Sequence, residues 1–341
     1  VANDQGANDQ RANDQLASDQ GVNDPGRHDQ RVTDQRARDP GPDVTILDSA
    51  QAHFARGSTA SLLKNWPEAL EAFEAAIAAR PDYPEAWNLR GAVLHEMGED
   101  EEALGCFEEA LKLRPKYPDV HSNISVCLRM LNRNEEAVAA ADRALACDPD
   151  FAAAFTTRGN ALRSLGRIDE ALAAYDRAVS LTPNNAVVRF NRSVCLLVNG
   201  DFERGWPEYE WRWQMPSHHE KPRAFDQPVW LGEQSLAGKR IVLHREQGLG
   251  DTIQFCRYAP LVAAMGASVI LGVAPSLHGL LTSLAGVSLI VSSAETIPDF
   301  DYQTPLLSLP LAFRTRLETI PAAVPYLQPP EAYRRKWRDR L

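Results

Sequence analysis

From about Ser49 to Trp213 the chain repeats one pattern of small, apolar and polar positions every 34 residues. Pro81, Pro115, Pro149 and Pro183 mark the period, and Ala69, Ala103, Ala137 and Ala171 keep the same step. So do Ala76, Ala110, Ala144 and Ala178, and a fourth series runs Gly57, Gly91, Ser125, Gly159 and Ser193. Four series in one register define a repeat architecture, in which each unit must stack on the next to bury its apolar face. Within a unit the spacing predicts two helices. Small residues let their backbones approach, and Trp87, Leu94 and Phe107, or Phe155, Leu162 and Tyr175, fill the space between them. Gly98, Gly166 and Gly200 fall at the turn, where a positive φ costs glycine little. Each Pro closes a second helix, because it cannot continue the hydrogen-bond ladder.

This arrangement resembles the tetratricopeptide repeat, with its small residues at helix contacts and its closing Pro. Five units over residues 45–214 are expected, forming an α-helical solenoid. The first is loose, with His53 where an aromatic residue is usual. The fifth has Gly205 and Arg212 in place of Ala and lacks the closing Pro, which suits a terminal unit whose second helix packs on something else. The resemblance implies a groove for a protein or peptide partner, lined from the first helix of each unit by Asn88, His95, Ser122, Arg129, Thr156 and Arg163.

The pattern changes on either side. Residues 1–44 repeat every five positions (VANDQ, GANDQ, RANDQ), with Asp4, Asp9 and Asp14 in step and a polar residue at the centre. Such a tail has nothing to bury and is expected to be disordered. Residues 215–238 read as a polar, Pro-containing linker. Over 239–341 short apolar runs alternate with amphipathic ones. Strands are expected at 240–244, 268–273 and 287–291, with helices at 252–265 and 276–284. That order predicts a parallel sheet with helices on both faces. Tyr258 to Ala294 carries no formal charge, but Pro260, Gly266, Gly272, Pro275, Gly279 and Gly286 cut it too short for a membrane span.

Composition narrows the partners. A net charge of −10 disfavours nucleic acid and anionic membranes, which need clustered Lys and Arg. The five cysteines form no Cys-x-x-Cys pair and read as reduced, buried thiols of a cytoplasmic protein. No secretory leader is visible. The chain begins with Val rather than Met, which fits a fragment or a processed product. His218-His219 with Glu220 invites zinc but lacks a second pair of ligands, so no metal is expected. Trp206, Tyr209, Trp211 and Trp213 are read as packing between the last repeat and the sheet, and Arg334, Arg335, Lys336, Arg338 and Arg340 as a solvated basic helix.

The sharpest candidate chemistry is the loop Glu246-Gln247-Gly248-Leu249-Gly250-Asp251, after the first strand, where open α/β sheets bind ligands. It is no dinucleotide fingerprint, since Ile253 replaces the third Gly, and no P-loop. The stretch IVLHREQGLGDTIQFCRYAPLV resembles the start of the heptosyltransferase-like glycosyltransferases of family 9, whose first strand leads into a Leu-Gly-Asp loop. Helical repeats joined to such a domain, with the Trp-rich GWPEYEWRW and PVWLG, also resemble a group of bacterial repeat glycosyltransferases. The resemblance implies the Rossmann-like N-terminal half of a GT-B fold. It makes Asp251 general base on an acceptor hydroxyl of a sugar or glycan, with Gln247, Gly248, Leu249, Gly250 and Thr252 around the acceptor. The nucleotide-diphospho-sugar donor would bind a second half absent here, so no cofactor is expected and the chain as given is read as inactive. Two alternatives stay open. Asp251 can serve as a helix cap, with its pKa lowered by the helix dipole. The whole can be a non-catalytic scaffold carrying a disused domain.

Overall fold

The computed structural model describes residues 44–215, 225–292 and 297–338. The pentad tail at 1–43, the His218-His219-Glu220 segment and Arg340 lie outside them. Two compact units divide at Cys195/Leu196.

The first unit is a run of antiparallel helix pairs: α1 (Val44–Leu62), α2 (Trp66–Ala79), α3 (Pro84–Glu96), α4 (Asp100–Leu113), α5 (Pro118–Met130), α6 (Asn134–Cys147), α7 (Ala152–Ser164) and α8 (Ile168–Leu181), followed by α9 (Ala186–Val198). The Pro series explains the spacing. Helices α2, α4, α6 and α8 each stop two residues before Pro81, Pro115, Pro149 or Pro183, since the residue preceding a Pro is pushed out of the helical region. Between helices the Gly series touches rings directly. A Cβ built on Gly57 would lie 2.8 Å from the Phe73 ring; one on Gly91 would lie 2.7 Å from Phe107, and one on Gly159 2.7 Å from Tyr175. The third unit carries Ser125 and Ala141 at the equivalent positions, both buried, so a larger residue on one helix accompanies a smaller one on the other.

The turns extend the expected pattern. Gly98, Gly166 and Gly200 have φ of 85°, 72° and 79°, as the sequence implies, but Lys64 and Asn132 occupy the same register with φ of 55° and 59°. A left-handed residue carrying a Cβ costs about 1–2 kcal/mol, against about 0.5–1 for glycine's extra chain entropy. Lys64→Gly is therefore expected to stabilise the array by roughly 0.5–1 kcal/mol, read as a higher denaturant midpoint. An unchanged or lowered midpoint would count against this geometry.

The second unit holds α10 (Phe202–Tyr209), which the sequence assigns to the fifth repeat, and a four-stranded sheet. The strands are β1 (Arg240–His244), β2 (Ser268–Val273), β3 (Val287–Ser292) and β4 (Tyr302–Pro305), in the order β3-β2-β1-β4, all parallel. The helices α11 (Leu249–Phe255), α12 (Ala259–Ala264) and α13 (His278–Leu281) contribute Cys256 at the end of α11, Val262 and Leu281 to one core, with Ile241, Leu243 and Leu271 of the sheet. The opposite face, Val242, Ile270 and Val291, is packed by Phe225, Ile297 and Phe300 from non-helical chain. Helices on both faces were expected. Two successive right-handed crossovers stepping the same way from β1 to β3 put their helices on one face instead. The chain then returns past β1 to form β4, making a switch point between β1 and β4. Helix α14 (Leu309–Ala312) follows β4, and α15 (Glu331–Arg338) is the basic helix. No helix among the described residues is long and apolar enough to cross a membrane.

Candidate functional site

In the helical array the six residues expected to line a groove are mostly drawn inward. Asn88, His95, Ser122 and Arg129 are buried; Thr156 and Arg163 are half-buried. Asn88 accepts from Asn123 Nδ2 at 2.9 Å, Ser122 pairs with Thr157 at 3.4 Å, and Thr156 donates to its own helix at Ala152 O. His95 Nδ1 lies 2.5 Å from Asp100 Oδ1. Polar side chains of α3, α5 and α7 thus bond from one first helix to the next. Asn123 and Asn191, one full period apart from Leu89 and Thr157, were missed. Asn123 Oδ1 and Asn191 Nδ2 are buried and make no hydrogen bond among the described residues. The signal available for Asn123 was an Asn 35 residues on from Asn88, one position off the 34-residue register.

In the sheet unit, the strand-to-helix connection is tighter than the sequence suggests. Helix α11 begins at Leu249, so Leu249, Gly250 and Asp251 form its first turn and not a loop. Gly248 is the N-cap, and its amide donates to Asp251 Oδ2 at 3.1 Å, which closes the turn from below. Helix continuity is broken at Cys256–Tyr258 by a 3₁₀ turn, just before Pro260 in the first turn of α12. Thr252 is buried and donates to Gly248 O, while Gln247 donates to Tyr209 OH. Gly248 and Gly250 are exposed, as is Leu249 at 47%. Asp251 itself is half-buried, and burial raises its pKa while the Gly248 amide pulls it down. The cap reading predicts a lowered value; desolvation outweighs the backbone amides of Gly248 and Asp251.

The switch point between β1 and β4 holds a buried charge cluster that the sequence did not announce. Arg212 and Glu246 are 1% and 2% exposed and meet at 2.9 Å. The guanidinium also donates to Glu210 at 2.7 Å and to Ser308 Oγ at 2.7 Å. Glu246 accepts the Leu307 amide at 2.9 Å, tying the end of β1 to the turn after β4. The Arg212 plane lies over Tyr209 and Trp213, at 4.8 and 4.4 Å from their centroids. Burial pushes the Glu246 carboxyl up to about 7, against the opposing pull of Arg212 and the Leu307 amide. Trp206 packs edge-on against Phe255 of α11, so the Trp-rich segment does serve packing within this unit.

Fold and site together define a tetratricopeptide-repeat array carried on one chain with a parallel α/β unit. Tetratricopeptide-repeat models match residues 37–84, 54–118, 96–150, 140–173 and 159–194. Protein FlbA of Caulobacter vibrioides is 28% identical over 174 residues, which are 46% of this chain and 29% of FlbA. The chain thus spans less than a third of the length of that curated relative. Among solved structures, TTC0263 of Thermus thermophilus, a thermophilic TPR protein, is similar at 21% identity. That likeness covers 50% of this chain and 93% of the other, with a TM-score of 0.46. YrrB, a TPR protein with an unusual peptide-binding site, is similar at 20% identity over 52% of this chain and 92% of its own, with a TM-score of 0.39.

Proposed function

We propose that the helical array is a scaffold for a protein or peptide partner, and that the sheet unit is the acceptor half of a glycosyltransferase of GT-B type. In this reading a hydroxyl-bearing sugar or glycan docks at Gln247, Gly248, Leu249, Gly250 and Thr252. Asp251 takes its proton as the sugar moves from a nucleotide-diphospho-sugar held by a further domain. The observation that carries the reading is a half-buried carboxylate beside exposed Gly248 and Gly250, at the carboxyl end of a central parallel strand. Its raised pKa suits a base better than a dipole-stabilised cap would. For the scaffold, the support is the tetratricopeptide architecture itself and the half-buried Thr156 and Arg163 on the first helix of the fourth unit, which keep some exposure among the polar side chains of successive first helices.

A second reading has its own support. The capping bond from Gly248 to Asp251 and the buried Arg212–Glu246 cluster at the switch point both suit a unit kept for its structure alone. Release of nucleoside diphosphate by the full-length protein separates the two. Asp251→Asn is expected to slow transfer by about 10²–10⁴-fold with the circular-dichroism spectrum unchanged. Transfer at the wild-type rate in this variant would exclude Asp251 as the base, and no transfer by the wild type with any donor would leave the scaffold alone.

A further inference from the structure

Where the second and third repeats meet, three chemically different ligand atoms converge. His95 comes from the end of α3, Asp100 from the first turn of α4 and Cys127 from α5; all their donor atoms lie within 4.8 Å of one another. The His95 and Asp100 side chains are 7% and 11% exposed, and Cys127 is fully enclosed.

The repeat itself supplies the comparison. One unit earlier the same three positions are Ser61, Trp66 and Val93; one unit later, Arg129, Asn134 and Ala161; two units later, Arg163, Ile168 and Cys195. Helices at the same spacing carry all four sets. Packing therefore does not demand a buried carboxylate, imidazole and thiol at this junction. Burying an ionisable group where Trp, Ile or Ala serves elsewhere is costly unless something compensates it.

We infer that His95, Asp100 and Cys127 form a binding site for a borderline divalent transition-metal ion, of which zinc is the best match. Imidazole nitrogen, thiolate sulfur and carboxylate oxygen are the ligand types zinc takes, and three of them leave a fourth tetrahedral position for water. The charges balance: a 2+ ion against one thiolate and one carboxylate gives a neutral centre, which burial tolerates. In a tetrahedral site with bonds of about 2.0–2.3 Å, ligand atoms sit about 3.4 Å apart. His95 Nδ1 and Asp100 Oδ1, now 2.5 Å apart, would open by about an ångström around the ion. Binding proceeds with loss of the thiol proton to solvent, and no oxidation or group transfer is involved.

The test is titration of the metal-free chain with Co²⁺, followed by displacement with Zn²⁺. One equivalent of Co²⁺ is expected to give a thiolate-to-cobalt charge-transfer band in the near ultraviolet, abolished by Zn²⁺. The decisive variants take the residues that the next repeat already uses, so they are expected to fold. Cys127→Ala removes the band, and Asp100→Asn weakens binding by at least about 100-fold, beyond the cost of losing an outer-shell partner. Cys106→Ser and Cys195→Ser leave the band in place. Absence of a band at one equivalent, or a band that survives Cys127→Ala in a helical protein, would overturn the site.

Discussion

Replacing Arg212 with alanine is expected to destabilise the sheet unit by about 3–5 kcal/mol at pH 8. Glu246 would keep only the Leu307 amide, and its charge would stay buried without a cation. The loss depends on pH in a definite direction. Burial raises the folded pKa of Glu246 to about 7, above the ordinary carboxylate value of 4.5. Folding therefore takes up a proton between these values, so this group's contribution to stability is complete below about pH 4.5 and is lost as pH rises through about 7. Removing Arg212 removes a charge that holds that pKa down, so the variant should lose far less at pH 5, where Glu246 is protonated, than at pH 8. The double replacement Arg212→Met with Glu246→Leu should come within about 1 kcal/mol of the wild type or exceed it, because neither charge then remains to be desolvated. Chemical denaturation at the two pH values reads all three expectations. A pH-independent loss in Arg212→Ala would mean that packing over Tyr209 and Trp213, not charge, is what Arg212 supplies.

The second large effect is a reversal of sign in the helical array. Phe107→Ala is expected to cost about 3–5 kcal/mol, since the ring is fully enclosed and its loss leaves a cavity between α3 and α4. Gly91→Ser in the wild type should cost about 1–3 kcal/mol, because a Cβ there lies 2.7 Å from the ring. Placed in the Phe107→Ala background, the same Gly91→Ser substitution should stabilise, by about 1 kcal/mol, as it partly fills the space the ring vacated. The third repeat, with Ser125 and Ala141, already holds that combination. The coupling energy follows from the midpoints of four proteins: wild type, both single variants and the double variant. Simple additivity would mean that the two helices move apart independently of this contact.

The difference between what could be read along the chain and what could not follows the range of the interactions. The repeat was legible because a 34-residue register writes one contact several times, so Gly57, Gly91 and Gly159 each point to a ring 16 residues on. The turn glycines were legible for the same reason, yet Lys64 and Asn132 were not, since nothing in a side chain announces a left-handed backbone forced by its neighbours. The parallel strands were visible as apolar runs. Which face the helices cover was not, because it depends on the direction in which successive crossovers step. The start of α11 was misplaced by three residues: Leu249-Gly250 looks like a loop until the Gly248 amide is seen to close on Asp251. Arg212 with Glu246, and His95 with Cys127, join residues more than thirty positions apart, and no local spacing marks either pair.

Hydrogen exchange across the whole chain, with and without sugar and glycan acceptors, reaches the functional reading most directly. Slowed exchange confined to amides of residues 247–252 on acceptor addition is the result expected if Asp251 faces a hydroxyl-bearing ligand. Unaltered exchange there at saturating acceptor, alongside protection elsewhere, would contradict it and leave the strand-to-helix turn a purely structural cap.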